Sequence, residues 1–281
     1  MNTVCLVMHQ SRPDVKALTR EIVRAFQFAD MKVTCEDWLW KLMGEESEKL
    51  FEKEAVFCDT IVAVGGDGTL LRANQLAIGK NIPLIGINMG RIGFLAEVEM
   101  VQLPEACQKL KRGEYYLESR MMLEANLGSE VSSLALNDVV VSRGGYARLI
   151  AVKAWVDNKL VGRYIADGLI VSTPTGSTGY SLSAGGPIVF PGVECVVISP
   201  ICAHSLQHRP VVISAQQTVT LELDGGPLEK AQISIDGLEP AFLSAKQKIT
   251  ITCAEKRAQF IRFDHKDFFQ IIRQKLSEWS C

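Results

Sequence analysis

The stretch Thr60-Ile61-Val62-Ala63-Val64-Gly65-Gly66-Asp67-Gly68-Thr69 decides the fold of the first part of this chain. Residues 60–64 are apolar and mostly β-branched, which is typical of a short buried strand. Beyond the glycines, apolar residues recur at helical spacing from Leu70 to Ile78. The pattern predicts a strand, a tight glycine turn and a helix.

The glycine turn has the properties of a phosphate site. Gly65, Gly66 and Gly68 allow the backbone to approach a ligand closely, and the positive end of the helix dipole attracts anions. With Thr69, these glycines are the candidate phosphate-binding residues. Asp67 is the exception, because a carboxylate is repelled by phosphate unless it serves a metal or accepts a proton from an attacking hydroxyl. The alternative is a sharp turn in which Asp67 or Thr69 caps the next helix.

Two better-known phosphate loops are excluded by inspection. Gly79-Lys80 lacks the upstream glycine of a Gly-x-x-x-x-Gly-Lys-Ser/Thr loop and is followed by Asn81. Leu71 stands where a Gly-x-Gly-x-x-Gly pattern requires its third glycine. A conventional dehydrogenase fingerprint is therefore absent from this turn.

Composition narrows the class of protein. A length of 281 residues suggests about two domains. The 30 basic and 32 acidic residues are nearly balanced, so we expect neither a nucleic-acid nor a membrane partner. The eight cysteines stand singly, which favours buried reduced thiols over a zinc site. Without an apolar run of membrane-spanning length or a signal peptide, we expect a cytoplasmic protein.

The first part of the chain alternates between strand and helix patterns. Strands are predicted at residues 4–8, 32–35 and 83–88, and helices at 15–26 and 103–113. This alternation favours a parallel sheet with ligands at the carboxyl ends of its strands, where Asp67 and Asn88 are expected. Residues 89–95 form a second glycine-spaced turn nearby, for which the alternative is a plain strand exit with Phe94 in the core.

The second part of the chain has a different texture. From Tyr115 to about residue 263, short alternating segments are separated by turn signals such as Asp157-Asn158. This spacing predicts an all-β, sandwich-like domain, and a final amphipathic pattern predicts a helix that packs back on the first domain. The predicted boundaries are 1–113 for the α/β domain, joined by helix 265–279, and 114–264 for the β-rich domain.

The run from Asp167 to Pro187 is the most unusual in composition. It holds seven Ser/Thr residues and five glycines in 21 positions. Hydroxyl groups and exposed amides suit a sugar, a phosphate or an amide better than a hydrophobic ligand. The structural alternative is a long polar loop between strands. Within the run, Asp167 is suited to accept hydrogen bonds or to form a turn, and Tyr180 to stack on a base or to pack.

These motifs together resemble the NAD kinase family, which phosphorylates the 2′-hydroxyl of the adenosine ribose of NAD. The resemblance covers nearly the whole chain. It rests on Gly65-Gly66-Asp67-Gly68, Asn137-Asp138, residues 167–187, His204-Ser205-Leu206 and Arg209-Pro210. The glycine turn alone is shared with diacylglycerol and sphingosine kinases and with phosphofructokinases. Residues 172–187 are the specific part.

The resemblance implies an α/β domain, a β-rich domain and an active site in the cleft between them. It assigns Asp67 as the catalytic residue. The residues that it assigns to NAD are Gly68, Phe94, Asn137, Asp138, Asp167, Thr178, Gly179, Tyr180 and Ser183. Among these, Asn137 and Asp138 hold a ribose and Asp167 the nicotinamide end, across a subunit boundary of a homodimer or homotetramer. Thr178, Tyr180 and Ser183 line the adenosine, with Phe94 near the base. Arg72, His204 and Asp236 are additional candidates, and Asp236 is expected to border the phosphate region.

The implied substrates are NAD and either ATP or polyphosphate. The resemblance also implies a divalent metal, with Mg²⁺ as the candidate and Asp67 reaching it through water, and no tightly bound organic cofactor. Two other functions stay open, a lipid kinase built on the same turn and a dinucleotide sensor without turnover. Three departures from the family pattern, interpreted as tuning changes, are Asp138 for glutamate, Gly179 for alanine and Ala203 for proline.

Overall fold

The computed structural model describes residues 1–52, 58–90, 93–128, 132–144, 148–205, 207–225, 230–238, 241–263 and 268–278. Its strands are β1 Thr3–Met8, β2 Lys32–Cys35, β3 Thr60–Val64, β4 Leu84–Asn88, β5 Val98–Glu99, β6 Tyr116–Arg120, β7 Leu123–Asn126, β8 Ser133–Ala135, β9 Asp138–Ser142, β10 Ile150–Val156, β11 Lys159–Ala166, β12 Gly168–Ser172, β13 Cys195–Ile201, β14 Val211–Ser214, β15 Val219–Leu223, β16 Lys230–Ile235, β17 Ala241–Ser244, β18 Lys248–Cys253 and β19 Ala258–Arg262. Its α-helices are α1 Val15–Phe28, α2 Asp37–Met43, α3 Ser47–Leu50, α4 Asp67–Ile78, α5 Leu103–Arg112, α6 Tyr180–Ser183 and α7 Phe268–Glu278.

The first unit comprises residues 1–119 and 258–281. Its sheet has the strand order β2-β1-β3-β4-β19-β6, with β5 also paired to β4. The pairs β1–β2, β1–β3, β3–β4, β4–β5 and β4–β19 are parallel, which confirms the predicted parallel sheet. Helix α1 buries Val15, Leu18, Ile22 and Phe26 because they recur every three or four residues.

The second unit comprises residues 120–257 and consists mainly of two antiparallel sheets. The strand orders are β11-β10-β15-β18-β7-β8 and β14-β13-β12-β9-β16-β17. One hydrophobic core takes Val152 and Leu221 from the first sheet and Val139 and Ile198 from the second. Alternate residues of facing strands thus fill the space between two layers, as in a β-sandwich.

The boundaries of the two units differ from the domain boundaries predicted from the sequence. Strands β6 and β19 lie at residues predicted to be in the β-rich domain, yet both belong to the sheet of the first unit. Their short apolar segments are indistinguishable from sandwich strands until their pairing is known. Helix α7 belongs to the first unit; residues 265–267 and Trp279 of the predicted helix lie outside the described residues.

Two further expectations are corrected or limited. The seven described cysteines are free thiols, but only Cys107 and Cys195 are buried, and Cys202 is exposed at the end of a strand.

Short helix α2 was not predicted from its sequence. Within the described ranges, no helix has both the length and the apolarity that crossing a membrane requires.

Candidate active site

Three strands of the parallel sheet end at one edge of the first unit. Met8 of β1 is level with Val64 of β3, which is adjacent to Ile87 of β4. Asn88, the last residue of β4, is only 9% exposed. The glycine turn follows β3 directly, so Asp67 and Asn88 lie at the same edge, where parallel α/β sheets bind ligands.

The glycine turn begins helix α4 without a side-chain cap. Gly66 is the N-cap residue, and its carbonyl accepts the Thr69 N–H at 3.0 Å. Gly65 has a φ of +153°, and a Cβ there would lie 2.3 Å from Thr69 Oγ1. The buried Thr69 hydroxyl has no hydrogen-bond partner within the residues that the structure describes. The alternative in which Asp67 or Thr69 caps the helix is therefore wrong.

The Asp67 carboxylate is held from a second loop. Its Oδ2 accepts the Phe94 N–H at 3.1 Å, and its Oδ1 accepts the Leu95 N–H at 3.2 Å. A Cβ on Gly93 would lie 2.3 Å from Asp67 Oδ1, so only glycine leaves space for the carboxylate. Each carboxylate oxygen keeps acceptor capacity beyond its one backbone bond. Arg91 and Ile92, in the middle of this loop, lie outside the described residues.

A buried arginine anchors the loop that holds Asp67. Arg262 of β19 donates from Nη1 to the Leu95 carbonyl at 2.9 Å. It also pairs with Glu97 at 3.1 Å and with Glu118 at 2.7 Å. Because both Arg262 and Glu97 are buried, this pairing compensates charges that would otherwise be costly to desolvate. Arg262 was not predicted from the sequence, because it follows Leu95 by 167 residues.

A cavity of about 690 Å³ opens beside the glycine turn within the first unit. Arg72 stands in its wall, donates to the Met8 carbonyl at 2.6 Å and is paired with Glu36. The cavity is lined by His9, Gln10, Ser11, Gly66, Gly68, Thr69 and Arg72. Helix-terminal amides, an arginine and an unpartnered hydroxyl make this cavity suitable for phosphate. The sequence did not lead us to predict that His9, Gln10 and Ser11 line a site. They directly follow the carboxyl end of β1, and this position could have identified them.

In the second unit, Asp236 holds the start of strand β9. Its carboxylate accepts the N–H groups of Leu136 and Asn137, each at 2.7 Å, and of Asp138 at 3.1 Å. The resemblance implies that Asp236 borders the phosphate region, and this stays a prediction. In the structure, the Asp236 carboxylate is engaged by three backbone donors.

Asn137 and Asp138 present their side chains next to this backbone contact. Asn137 Oδ1 is buried, and no group in the described part of the chain forms a hydrogen bond with it. Asp138 is 6% exposed, and burial together with the nearby Asp236 charge raises the pKa of Asp138 to about 7. A Cβ on Gly179 would lie 3.7 Å from Asn137 Nδ2, so Asn137 lies beside the hydroxyl-rich run.

The hydroxyl-rich run divides into a structural set and an exposed set. Thr173 Oγ1 donates to the Leu136 carbonyl at 2.6 Å and accepts the Gly176 N–H at 3.0 Å. Ser177 donates to the Pro174 carbonyl at 2.6 Å. The buried hydroxyl residues of the run are Ser172, Thr173, Thr175, Ser177 and Ser181. Five of the seven Ser/Thr side chains of the run are therefore buried, and Thr178 and Ser183 are the two that are less buried.

The less buried part of the run contains the residues that the resemblance assigned to adenosine. Thr178 is half-buried, Ser183 is exposed and Tyr180 is 48% exposed. Burial and the neighbouring Cys202, Asp167 and Asp138 raise the pKa of Tyr180. Tyr180 therefore lies near the carboxylates of Asp167 and Asp138 in the second unit.

The remaining candidates differ in their surroundings. Asp167 forms an ion pair with Arg143 Nε at 2.7 Å, a partner that the sequence analysis did not identify. His204 is exposed and its N–H donates to the Ile165 carbonyl at 2.8 Å, while Leu206 lies outside the described residues. Phe94, in the first unit, is half-buried, with Lys275 Nζ of α7 5.9 Å from its ring centroid.

Comparison with known proteins matches nearly the whole chain to NAD kinases. The family model "ATP-NAD kinase N-terminal domain" matches residues 6–115, and "ATP-NAD kinase C-terminal domain" matches residues 136–263. The NAD kinase of Desulforamulus reducens is 39% identical, over 99% of this chain and 98% of the relative. The NAD kinase of Gemmatimonas aurantiaca is 37% identical, over 97% and 95%.

Solved structures show the same fold. An NAD kinase from Archaeoglobus fulgidus in complex with ATP aligns with a TM-score of 0.76 at 27% identity, covering 98% of each chain. Yeast NADH kinase complexed with NADH aligns with a TM-score of 0.88 at 22% identity, covering 99% of this chain and 88% of the yeast chain. From the two family models and the near full-length relatives, the chain belongs to the NAD kinase family and is a kinase that acts on NAD.

Proposed function

We propose that this chain transfers the terminal phosphoryl group of ATP to the 2′-hydroxyl of the adenosine ribose of NAD, producing NADP and ADP. The observation that carries the proposal is the Asp67 carboxylate, fixed by the N–H groups of Phe94 and Leu95 at the start of α4. A phosphate-binding protein without turnover would bind more tightly without this negative charge. The ATP in the Archaeoglobus structure supports ATP, rather than polyphosphate, as the donor.

In the proposed reaction, Asp67 accepts the proton of the 2′-hydroxyl as the oxygen attacks. A bond forms between the ribose oxygen and the terminal phosphorus, the bond from that phosphorus to the ADP oxygen breaks, and the proton remains on Asp67. General-base assistance of this kind contributes about 10²–10⁴-fold. Holding the reactants in line supplies most of the remaining acceleration.

The donor phosphates are assigned to the cavity beside the glycine turn. Gly66, Gly68 and Thr69, at the start of helix α4, line this cavity, and the positive end of a helix dipole attracts phosphate. The Thr69 hydroxyl, which has no partner in the described ranges, is available to donate to a phosphate oxygen. Arg72 adds a guanidinium that Glu36 orients.

A divalent cation fits this donor set. Mg²⁺ is usually held by one or two carboxylates together with substrate phosphates and water, rather than by a protein cage. Among the described residues, no cluster of three or more His, Cys, Asp or Glu side chains could hold a metal. Asp67, directly or through water, is the carboxylate that would hold Mg²⁺. When bound, the cation neutralises phosphate charge during transfer.

NAD is assigned to the polar groups of the second unit. Gly68 and Phe94, which the resemblance also assigns to NAD, belong to the first unit, and their role stays a prediction. Asn137 and Asp138 would bind ribose hydroxyls, and Thr178, Tyr180 and Ser183 the adenosine. Asp138 is one methylene shorter than the usual glutamate, so a bridging water is proposed between it and the ribose. Asp167, oriented by Arg143, would bind the nicotinamide end in a homo-oligomer. The seven cysteines of the described residues are free thiols, which favours the cytoplasm as the location of this protein.

The test is NADP formation by the purified protein, with NAD as acceptor and with ATP and polyphosphate compared as donors. We expect NADP with ATP and Mg²⁺, and its loss when EDTA removes the metal. Diacylglycerol replaces NAD in a parallel reaction and should not be phosphorylated. Absence of NADP with every donor would refute the proposal, and phosphorylation of diacylglycerol alone would favour the lipid kinase alternative.

A further inference from the structure

One carboxylate in the second unit fixes a whole peptide segment. Asp236 accepts hydrogen bonds from three consecutive backbone N–H groups, those of Leu136, Asn137 and Asp138. The Asp236 N–H in turn donates to the Asp138 carbonyl at 3.0 Å. Four hydrogen bonds therefore tie the turn after β16 to Asp138, the first residue of β9, and to the two residues before it.

The position of Asp236 makes this contact possible. Strand β16 pairs with β9 up to Ile235 and Val139, and the next residue, Asp236, adopts a left-handed φ of 52°. Aspartate tolerates this conformation better than most residues. The chain thus turns back at the end of β16 and places the carboxylate over the start of β9. Asp236 is buried, so the three donors compensate a charge that would otherwise be costly to bury.

The segment held by Asp236 carries an unsatisfied acceptor. The Asn137 backbone is bonded on both sides, since its N–H donates to Asp236 and its carbonyl accepts the Thr173 N–H at 2.8 Å. Its side-chain Oδ1 is nevertheless buried and has no hydrogen-bond partner among the described residues. Buried polar atoms without partners are rare and call for an explanation, such as a ligand donor.

We propose that Asp236 is a positioning residue for NAD, which fixes Asn137 and Asp138 in the orientation where their side chains receive the ribose hydroxyls. Asp236 itself does not touch the substrate in this proposal, since its oxygens are occupied by the backbone. The inference rests on the proposed function, because it assigns NAD to Asn137 and Asp138.

Asp157 provides a matched control in the same unit. It also has a left-handed φ, of 48°, and its carboxylate accepts the Thr218 N–H and the Gln217 Nε2–H, each at 2.9 Å. Neither partner is a candidate for NAD binding. Asp157→Asn therefore makes the same chemical change as Asp236→Asn at an exposed turn whose hydrogen-bond partners are not assigned to NAD.

The experiment compares steady-state constants of the wild type, Asp236→Asn and Asp157→Asn. An asparagine offers one acceptor oxygen and directs an NH₂ group at backbone donors, so the hold on the segment is lost. We expect Asp236→Asn to raise KM for NAD about tenfold, the equivalent of losing one or two hydrogen bonds, while KM for ATP stays within about twofold. Asp157→Asn should leave both constants within about twofold.

A double-mutant cycle separates positioning from a general structural effect. If Asp236 acts through Asn137, adding Asp236→Asn to Asn137→Ala should raise KM for NAD much less than it does in the wild type. An unchanged KM for NAD in Asp236→Asn, an equal rise in KM for ATP, or a full effect in the Asn137→Ala background would each overturn the proposal. If Asp236→Asn does not fold, Asp236→Ser, which keeps one acceptor, is used in the same comparison.

The wild type distinguishes failure of this inference from failure of the proposed function. If the wild type makes no NADP, the proposed function fails, and the Asp236 inference is decided by calorimetric binding of NAD. A tenfold weaker Kd in Asp236→Asn than in Asp157→Asn would then support it. Equal affinity of the two variants, or no binding of NAD to the wild type, would overturn it.

Discussion

At the scale of single residues, the space beside Asp67 is the most sensitive feature of the first unit. A Cβ on Gly93 would lie 2.3 Å from Asp67 Oδ1. The carboxylate is the free end of a side chain and can move aside, so Gly93→Ala should displace the catalytic group without unfolding the protein. We expect kcat for NADP formation to fall about tenfold or more, with the free energy of unfolding changed by less than about 1 kcal/mol.

Gly79→Ala is the control for this prediction. Gly79 has an ordinary helical φ of −67° at the end of α4, and a Cβ there meets no atom within 4 Å. Its kcat should therefore equal that of the wild type. If Gly93→Ala also kept wild-type turnover, the Asp67 carboxylate would not need the position that Phe94 and Leu95 give it.

The sequence singled out Asp67 but not what holds it. A negative charge among glycines at the start of a helix is visible in ten residues. Leu95 donates to Asp67, and Arg262 donates to the Leu95 carbonyl. These contacts join residues that are far apart in the chain, so no local sequence pattern predicts them. Arg143, the partner of Asp167, was missed for the same reason.

At the scale of elements, the run after β12 combines structural and exposed hydroxyl groups. Thr173→Val keeps the side-chain shape but leaves the Leu136 carbonyl and the Gly176 N–H without their buried partner. We expect a loss of about 2–4 kcal/mol in the free energy of unfolding, measured by urea denaturation. Ser183→Ala, at an exposed position of α6, should change stability by less than about 0.5 kcal/mol.

The KM for NAD should reveal an effect of Ser183→Ala, the variant that leaves stability nearly unchanged. Ser183→Ala removes one proposed hydrogen bond to NAD and should raise KM for NAD about three- to tenfold. Equal stability of the two variants would contradict the division into a structural and an exposed set. An unchanged KM in Ser183→Ala would remove Ser183 from the NAD site.

Element types were predictable where a single pattern dominates. The 3.6-residue period of α1 and the β-branched run of β3 identified those elements directly. Strands β6 and β19 were recognisable as short extended segments, but their membership of the parallel sheet was not. Pairing is decided by neighbours far away in the chain, so the unit boundary could not be placed from composition.

At the scale of the whole molecule, buried Asp138 makes stability depend on pH. Burial and the Asp236 charge raise its pKa from 3.8 to about 7 in the folded protein. Between these values the unfolded chain has released a proton that the native protein still binds, so native stability falls as pH rises from about 4 to 7. Above about pH 7 this contribution is constant.

Asp138→Asn removes this titration and provides the comparison. The free energy of unfolding of the wild type relative to Asp138→Asn should fall as pH rises from about 4 to 7, by at most about 4 kcal/mol. Urea denaturation at several pH values measures the free energy of unfolding of both proteins. Parallel pH profiles for the two would show that Asp138 is not buried as a titrating group.

The overall organisation was predictable because its two halves differ in kind. Alternating strands and helices predicted the parallel sheet, and short alternating segments predicted the sandwich, both of which the structure confirms. The function was predictable because the glycine turn and the run from Ser172 to Pro187 occur in one chain. What could not be predicted is which hydroxyl groups of that run face the interior, since that depends on packing against neighbouring strands.

The role of Asp67 is tested most directly by the turnover number of Asp67→Asn for NADP formation from NAD and ATP. The asparagine keeps the size of the side chain but cannot accept the proton, so kcat should fall about 10²-fold or more while KM for NAD changes little. Wild-type kcat in a folded Asp67→Asn protein would contradict the mechanism, because the reaction would then proceed without the carboxylate.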